Sequence, residues 1–320
     1  MSMNSIKHHE LGNDDHENGE HGNARPLYPD MRLRLVRHAL VESACDTDAC
    51  LTLVCAAPGS GKTVFLQQLQ AALPEAPGVM PGVMQCVLLD LQQDDHARNG
   101  LKMLCENLSV VHRMAGQSAV PSTDSEAALV SALTFQLLAG TSPLTILIDG
   151  LQAGRDERLI RLLLQLALLR PAQVRWFLGI TGNIDPGLVS VLPASDLRLI
   201  TAAELGFSLT DIRQLCSLQG MTPEQADHVW RCSGGWPLAV MQLLCDGSTT
   251  LLDQRIASLL PRLAGGTTAL SALALLDEWD LPAATALLCV SPVEAERCLG
   301  ALLQRGFVRQ DQNQRLSLQH

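Results

Sequence analysis

Aromatic residues are scarce in this chain, at 3% of 320 positions, with a single tyrosine. A core therefore has to be built from Leu, Ala and Val, which favours helices packed on an aliphatic sheet over an all-β sandwich. Lysine is nearly absent: Lys7, Lys62 and Lys102 are the whole set, and the formal net charge is −10. That balance supplies neither the basic stripe by which proteins usually hold nucleic acid nor a polybasic segment for a membrane surface. Long apolar runs are missing too. The longest helix-like one, 159–169, is interrupted by Arg161 and is too short to span a bilayer. The first 25 residues are polar and lack the apolar core of a secretory signal. Ten cysteines are present, yet none is spaced as Cys-x-x-Cys or as a paired metal ligand. Most lie in apolar runs, where a free thiol behaves as a small hydrophobe. These absences imply a reducing, cytoplasmic compartment and no membrane association.

What is present is a chain with 47% hydrophobic residues, enough to bury a sizeable core. Residues 1–28 form a polar tail, rich in His, Asn, Gly and acids, that composition marks as disordered. From Arg32 to Val41 the pattern is a short amphipathic helix. Apolar runs of strand type then alternate with helical stretches: 51–56, 86–90, 144–149, 174–181 and 197–200 read as strands. Alternation of this kind predicts an α/β fold with a mostly parallel sheet covered on both faces. After Glu204 only helices are expected, starting at the capping sequence Ser208-Leu209-Thr210-Asp211 and at Thr222-Pro223-Glu224-Gln225. Further short helices, broken at Pro282 and Pro292, lead to a hairpin turning at Asp311 to Asn313. The domain reading is a P-loop nucleotide-binding domain over 29–203, a helical lid-type domain over 204–262 and a winged-helix-like domain over 263–320.

The motif that carries chemistry is Ala57-Pro58-Gly59-Ser60-Gly61-Lys62-Thr63. Glycines at 59 and 61 permit the backbone to turn successive N–H groups toward a phosphate. The helix that follows adds its positive N-terminal end. Lys62 then reaches the phosphates and the Thr63 hydroxyl ligates Mg²⁺. The motif stands where that mechanism requires, between a strand and a helix. Pro58, Gly59, Ser60, Gly61, Lys62, Thr63 and Val64 are accordingly the expected nucleotide-binding set, for ATP or ADP. The strand Thr145-Ile146-Leu147-Ile148-Asp149 is the companion: its terminal carboxylate is expected to hold Mg²⁺ together with Thr63. The next residues are Gly150, Leu151 and Gln152, with no acid to polarise an attacking water. Asp156 and Glu157 are expected on the solvated face of the following helix, and an acid installed at position 150 is expected to raise turnover.

The order of these motifs resembles the nucleotide-binding part of the MalT-like regulators, large ATP-dependent LuxR-type proteins of the STAND group of signalling NTPases. The resemblance runs over about 31–320. It is carried by the Arg-Leu-rich helix at 32–40, the P-loop, Leu88-Leu89-Asp90 with trailing acids, Leu147-Ile148-Asp149, the helix start Leu205-Gly206-Phe207-Ser208, and Gly234-Gly235-Trp236-Pro237. It implies that Trp236 and Pro237 lie against the nucleotide and couple a helical domain to its state. Two departures stand out. The family usually has two acids where this chain has Asp149-Gly150, and an arginine where it reads Thr181-Gly182-Asn183. Both point to retained binding with weak or absent hydrolysis. The superhelical repeat sensor and helix-turn-helix output of typical members lie outside the resemblance.

The expectation is thus an ATP- or ADP-binding regulatory switch that signals through a protein partner or self-association. Two alternatives are an active P-loop ATPase and a DNA-binding regulator. Residues 265–320 carry six acids against four arginines, which argues against direct DNA binding.

Overall fold

The computed structural model describes residues 37–73, 85–91, 97–114, 125–140, 143–169, 173–246, 254, 273–274, 276, 278–310 and 315–318. All lie in one unit, Arg34–His320. The polar tail and the turn at 311–314 are outside the described residues.

The strands are β1 (Leu51–Ala56), β2 (Gln85–Asp90), β3 (Leu144–Gln152), β4 (Val174–Thr181) and β5 (Leu197–Thr201). They pair in parallel in the order β2-β3-β4-β1-β5. Placing β3 and β4 between β2 and β1 requires crossovers, and the helices that supply them cover both faces. On one face Leu51, Leu53, Ile146, Ile148, Trp176 and Leu178 join a core with the helices α3 (Ala97–Met114), α4 (Glu126–Ala139) and α5 (Glu157–Leu168). On the other, Val54, Leu147, Phe177 and Ile200 pack against α1 (His38–Cys45) and α2 (Lys62–Ala72). Adjacent residues of one strand enter opposite cores, as the period-2 alternation of a strand demands. On α2 the buried positions are 62, 65, 66 and 69, one stripe of a 3.6-residue helix.

Several boundaries differ from the sequence expectation. The helix expected from Arg32 starts, among described residues, at His38. β3 continues past Asp149 to Gln152 through a register shift between Ile148 and Leu151. Asp156 is not on a solvated helix face. It is buried, its Oδ2 accepts the Gln152 N–H at 2.8 Å, and Oδ1 pairs with Arg155 at 2.9 Å.

A short α6 (Pro186–Val189) lies between β4 and β5, and after β5 come α7 (Ala202–Leu205), α8 (Leu209–Leu218), α9 (Pro223–Ser233) and α10 (Pro237–Asp246). Ser208 with Asp211 and Thr222 with Gln225 form the anticipated reciprocal caps. Ile212, Leu215, Val229 and Val240 give α8, α9 and α10 a core of their own. Beyond them are α11 (Leu281–Leu288), α12 (Pro292–Gln304) and an antiparallel pair, β6 (Val308–Gln310) with β7 (Leu316–Leu318). The helix boundaries fall at Pro282 and Pro292, as expected. Each stands in a first turn, where the missing N–H has no partner to lose.

Candidate functional site

Ala57 to Gly61 link β1 to α2 at the carboxyl end of the sheet, where ligands of open α/β folds bind. Gly59 and Gly61 have φ of +77° and +82°, so both occupy the left-handed region that side chains disfavour. Lys62 opens α2 and is buried. Its Nζ donates to the carbonyls of Ala56 and Ala57, each at 2.9 Å. Burial lowers this ammonium to about 8, with the charges of Asp149 and Cys55 opposing the shift. Burial in turn raises the Cys55 thiol to about 12, opposed by Lys62. The Ser60 hydroxyl is buried without a partner among the described residues. Thr63 is exposed and Val64 half-buried at the head of α2.

Asp149 is buried on β3, in register with Asp90 on β2. Its Oδ1 lies 2.7 Å from where a Cβ on Gly179 would stand. A glycine on β4 therefore makes room for the carboxylate. Gly150 has φ +83°, and a Cβ there would be 2.2 Å from the Leu91 carbonyl oxygen. The backbone itself excludes a second acid at this position, and the expectation that one would raise turnover is corrected on that ground.

The sequence also predicted Trp236 and Pro237 at the site. The Leu238 N–H donates to the Gly59 carbonyl at 3.0 Å. A Cβ on Gly59 would meet Leu238 Cβ at 2.7 Å and Trp236 Cζ2 at 3.1 Å. The start of α10, with Pro237 buried, thus rests on the first glycine of the loop.

A second approach was not foreseen. Gly182 follows β4 with φ +101°, and a Cβ there would be 1.8 Å from the Gln304 carbonyl oxygen. Asn183 Nδ2 donates to Val308 O at 3.0 Å. Gly306 approaches Gly182 Cα and the Ala57 backbone within 3.1 and 3.3 Å of its own Cβ position. The end of α12 therefore leaves no room for a side chain at 182. No local pattern announces this contact, because it joins residues more than a hundred positions apart.

This parallel sheet with a glycine-lined loop between β1 and a buried lysine on α2 is an α/β P-loop NTPase fold. A family model described as an AAA domain matches residues 46–186, and the chain carries an AAA-type P-loop NTPase domain there. Among solved structures, a Walker-type ATPase of Pyrococcus abyssi matches with a TM-score of 0.54 at 12% identity, over 89% of this chain and 93% of that one. The Aeropyrum pernix ORC2 protein in its ADP form matches at 0.48 and 14%, over 89% and 90%. The Aeropyrum pernix ORC1 protein in complex with DNA matches at 0.44 and 13%, over 88% of each chain. At these identities the first likeness is one of fold. No curated protein matches the sequence. Among the described residues no helix is long and apolar enough to cross a membrane, and no group of three His, Cys, Asp or Glu could hold a metal.

Proposed function

We propose that this chain is a nucleotide-controlled switch: it binds ATP or ADP with Mg²⁺, hydrolyses it weakly or not at all, and signals through protein contacts. The observation that carries the reading is the contact of two later segments with the loop itself. α10 is hydrogen-bonded to Gly59, and Gly306, just past α12, lies against Ala57. A phosphate taken up by that loop has to be accommodated by both. The residues fit the ligand: two left-handed glycines open the cradle, Lys62 is buried within it, and the Ser60 hydroxyl has an unused bond. Thr63 and Asp149 would hold Mg²⁺, which neutralises charge on the phosphates.

The barred position at Gly150 and the filled space at Gly182 support slow turnover. The resemblance to the MalT-like STAND regulators agrees with this, and α8–α10 and α11–β7 are then its lid-type and winged-helix-like parts. The cytoplasmic setting and a protein partner or self-association belong to the same proposal. Mass spectrometry of nucleotide released from denatured, freshly purified protein tests binding. ADP or ATP in near-stoichiometric amount is expected, and its absence together with no measurable affinity for either would overturn the reading.

One observation favours the alternative, an active ATPase. Asp90 is exposed at the end of β2, in register with Asp149 on the neighbouring strand, with parallel strands about 4.8 Å apart. An exposed carboxylate there would serve as the general base in that reading. Steady-state phosphate release decides: a fast, Mg²⁺-dependent rate lost in Asp90→Asn establishes the ATPase.

A further inference from the structure

Arg37 stands one residue before α1, and its side chain reaches the P-loop. Nη2 and Nη1 lie 3.0 and 3.3 Å from where a Cβ on Gly61 would stand. On the other side its Cζ is 4.9 Å from the centroid of the Phe207 ring, a cation–π distance. The Arg37 N–H donates to Gln68 Oε1 on α2 at 3.3 Å, which fixes the base of the side chain. Nε and Nη1 are buried and have no hydrogen-bond acceptor among the described residues. Burial lowers the guanidinium to about 10, with the charge of Asp211 opposing.

An arginine presents its N–H donors in a rigid fork suited to carboxylate or phosphate. An aromatic face steadies the charge but satisfies none of those donors in the plane of the fork. Leaving charged donors buried and unpaired is more costly than leaving neutral ones. Lys62 is a second buried cation at the same loop, and Asp149 is the carboxylate that acts on it. Two buried cations thus flank the loop, Arg37 beside Gly61 and the Lys62 ammonium at the Ala56 and Ala57 carbonyls, and a phosphate is a fitting counter-ion for both.

We propose that Arg37 is a phosphate-binding arginine, whose guanidinium, steadied by the Phe207 ring, engages the terminal phosphate of a nucleoside diphosphate in the P-loop. The proposal rests on the nucleotide reading above. Gly61 directly precedes α2, whose N-terminal amides face the α- and β-phosphates in this motif. A group beside Gly61 serves the phosphates that ADP and ATP share, so Arg37 secures both. It also links them to the helices after β5. The Phe207 N–H donates to the Gly235 carbonyl at 2.9 Å, next to Trp236. Gly61 is then required twice, for its left-handed φ and for the room it leaves the guanidinium.

The test compares ADP with AMP on the full chain, ADP by calorimetry and AMP by displacement of a fluorescent ADP analogue. Arg37→Gln is expected to weaken ADP about tenfold or more while changing AMP by less than about twofold. Arg37→Lys should recover part of the loss, and thermal unfolding checks that both variants are folded. Phe207→Leu leaves the guanidinium in place but unsteadied, and should show a smaller loss in the same ADP-selective direction. It carries the comparison if Arg37→Gln does not fold. Equal losses for ADP and AMP, or an unchanged ADP affinity in a folded variant, overturn the proposal. Wild-type protein that binds neither ADP nor ATP overturns the nucleotide reading first, and the two failures are told apart by that control.

Discussion

The two ends of the site are built in opposite ways. At the P-loop two glycines take up left-handed φ, Arg37 stands beside Gly61, and the Lys62 ammonium reaches the Ala56 and Ala57 carbonyls. At the ends of β3 and β4, glycines instead admit other backbone: Leu91 lies against Gly150, and Gln304 against Gly182. Glycine thus admits side chains at the P-loop, Leu238 and Trp236 at Gly59 and Arg37 at Gly61, and main chain at the other end. Under the proposed function, this difference would separate holding a nucleotide from cleaving it. Binding needs donors around phosphates that are already there. Under the proposed function, hydrolysis would also need a base and a charge placed where the transition state develops, and at positions 150 and 182 main chain leaves no room for a side chain to supply them.

The sharpest way to break this contrast is to force side chains into the closed end. Gly150→Asp combines a left-handed φ, costing about 1–2 kcal/mol for a residue with a side chain, with a clash against a carbonyl. Denaturant unfolding should show a loss of about 3 kcal/mol or more, with no gain in phosphate release. A stable variant with faster turnover would mean that the closed end opens readily. At the open end, Lys62→Ala removes a charge-assisted contact worth about 1.5–3 kcal/mol. Calorimetry should then record ATP binding roughly ten- to a hundredfold weaker, and equal affinity would remove the basis for the site.

A smaller effect is expected where the later segments meet the loop. Pro237→Ala should leave nucleotide affinity nearly unchanged while diminishing any difference in shape or self-association between ATP and ADP forms, followed by small-angle and light scattering. A ligand shifts such an equilibrium only by its differential affinity for the two states. Identical profiles in the wild type, with both nucleotides confirmed bound, would leave a static binding module.

The subtlest test concerns protons. Lys62 is lowered to about 8 by burial, below its value in the unfolded chain. Between those values the unfolded state binds more protons, so this group's contribution to stability rises with pH across that window. Below it, the burial of a charged ammonium counts fully against the fold. A phosphate nearby restores the charged form, so ADP binding near pH 8–9 should take up part of a proton. Apparent binding enthalpies should differ between buffers of low and high ionisation enthalpy, and Lys62→Ala should abolish the difference.

Much of this molecule is legible in local pattern. The run of apolar residues in β3, the stripe on α2, and the caps at Ser208 and Thr222 depend only on nearest neighbours and on burial of one face. The P-loop is legible for the same reason: its geometry is made by consecutive residues whose φ values only glycine adopts without strain. Asp156 was misread because an acid beside a helix start looks solvated, whereas its carboxylate is used inward by the Gln152 N–H. The sequence by itself thus determined the α/β order, the phosphate cradle and the lack of an acid after Asp149. Only the tertiary structure decided that Arg37 reaches Gly61, that α10 rests on Gly59, and that Gln304 fills the space at Gly182. Those contacts join segments far apart in the chain, brought together by burial of apolar faces. Burial has no sequence period that names its partner, so the residues it delivers to a site are visible only once the chain has folded.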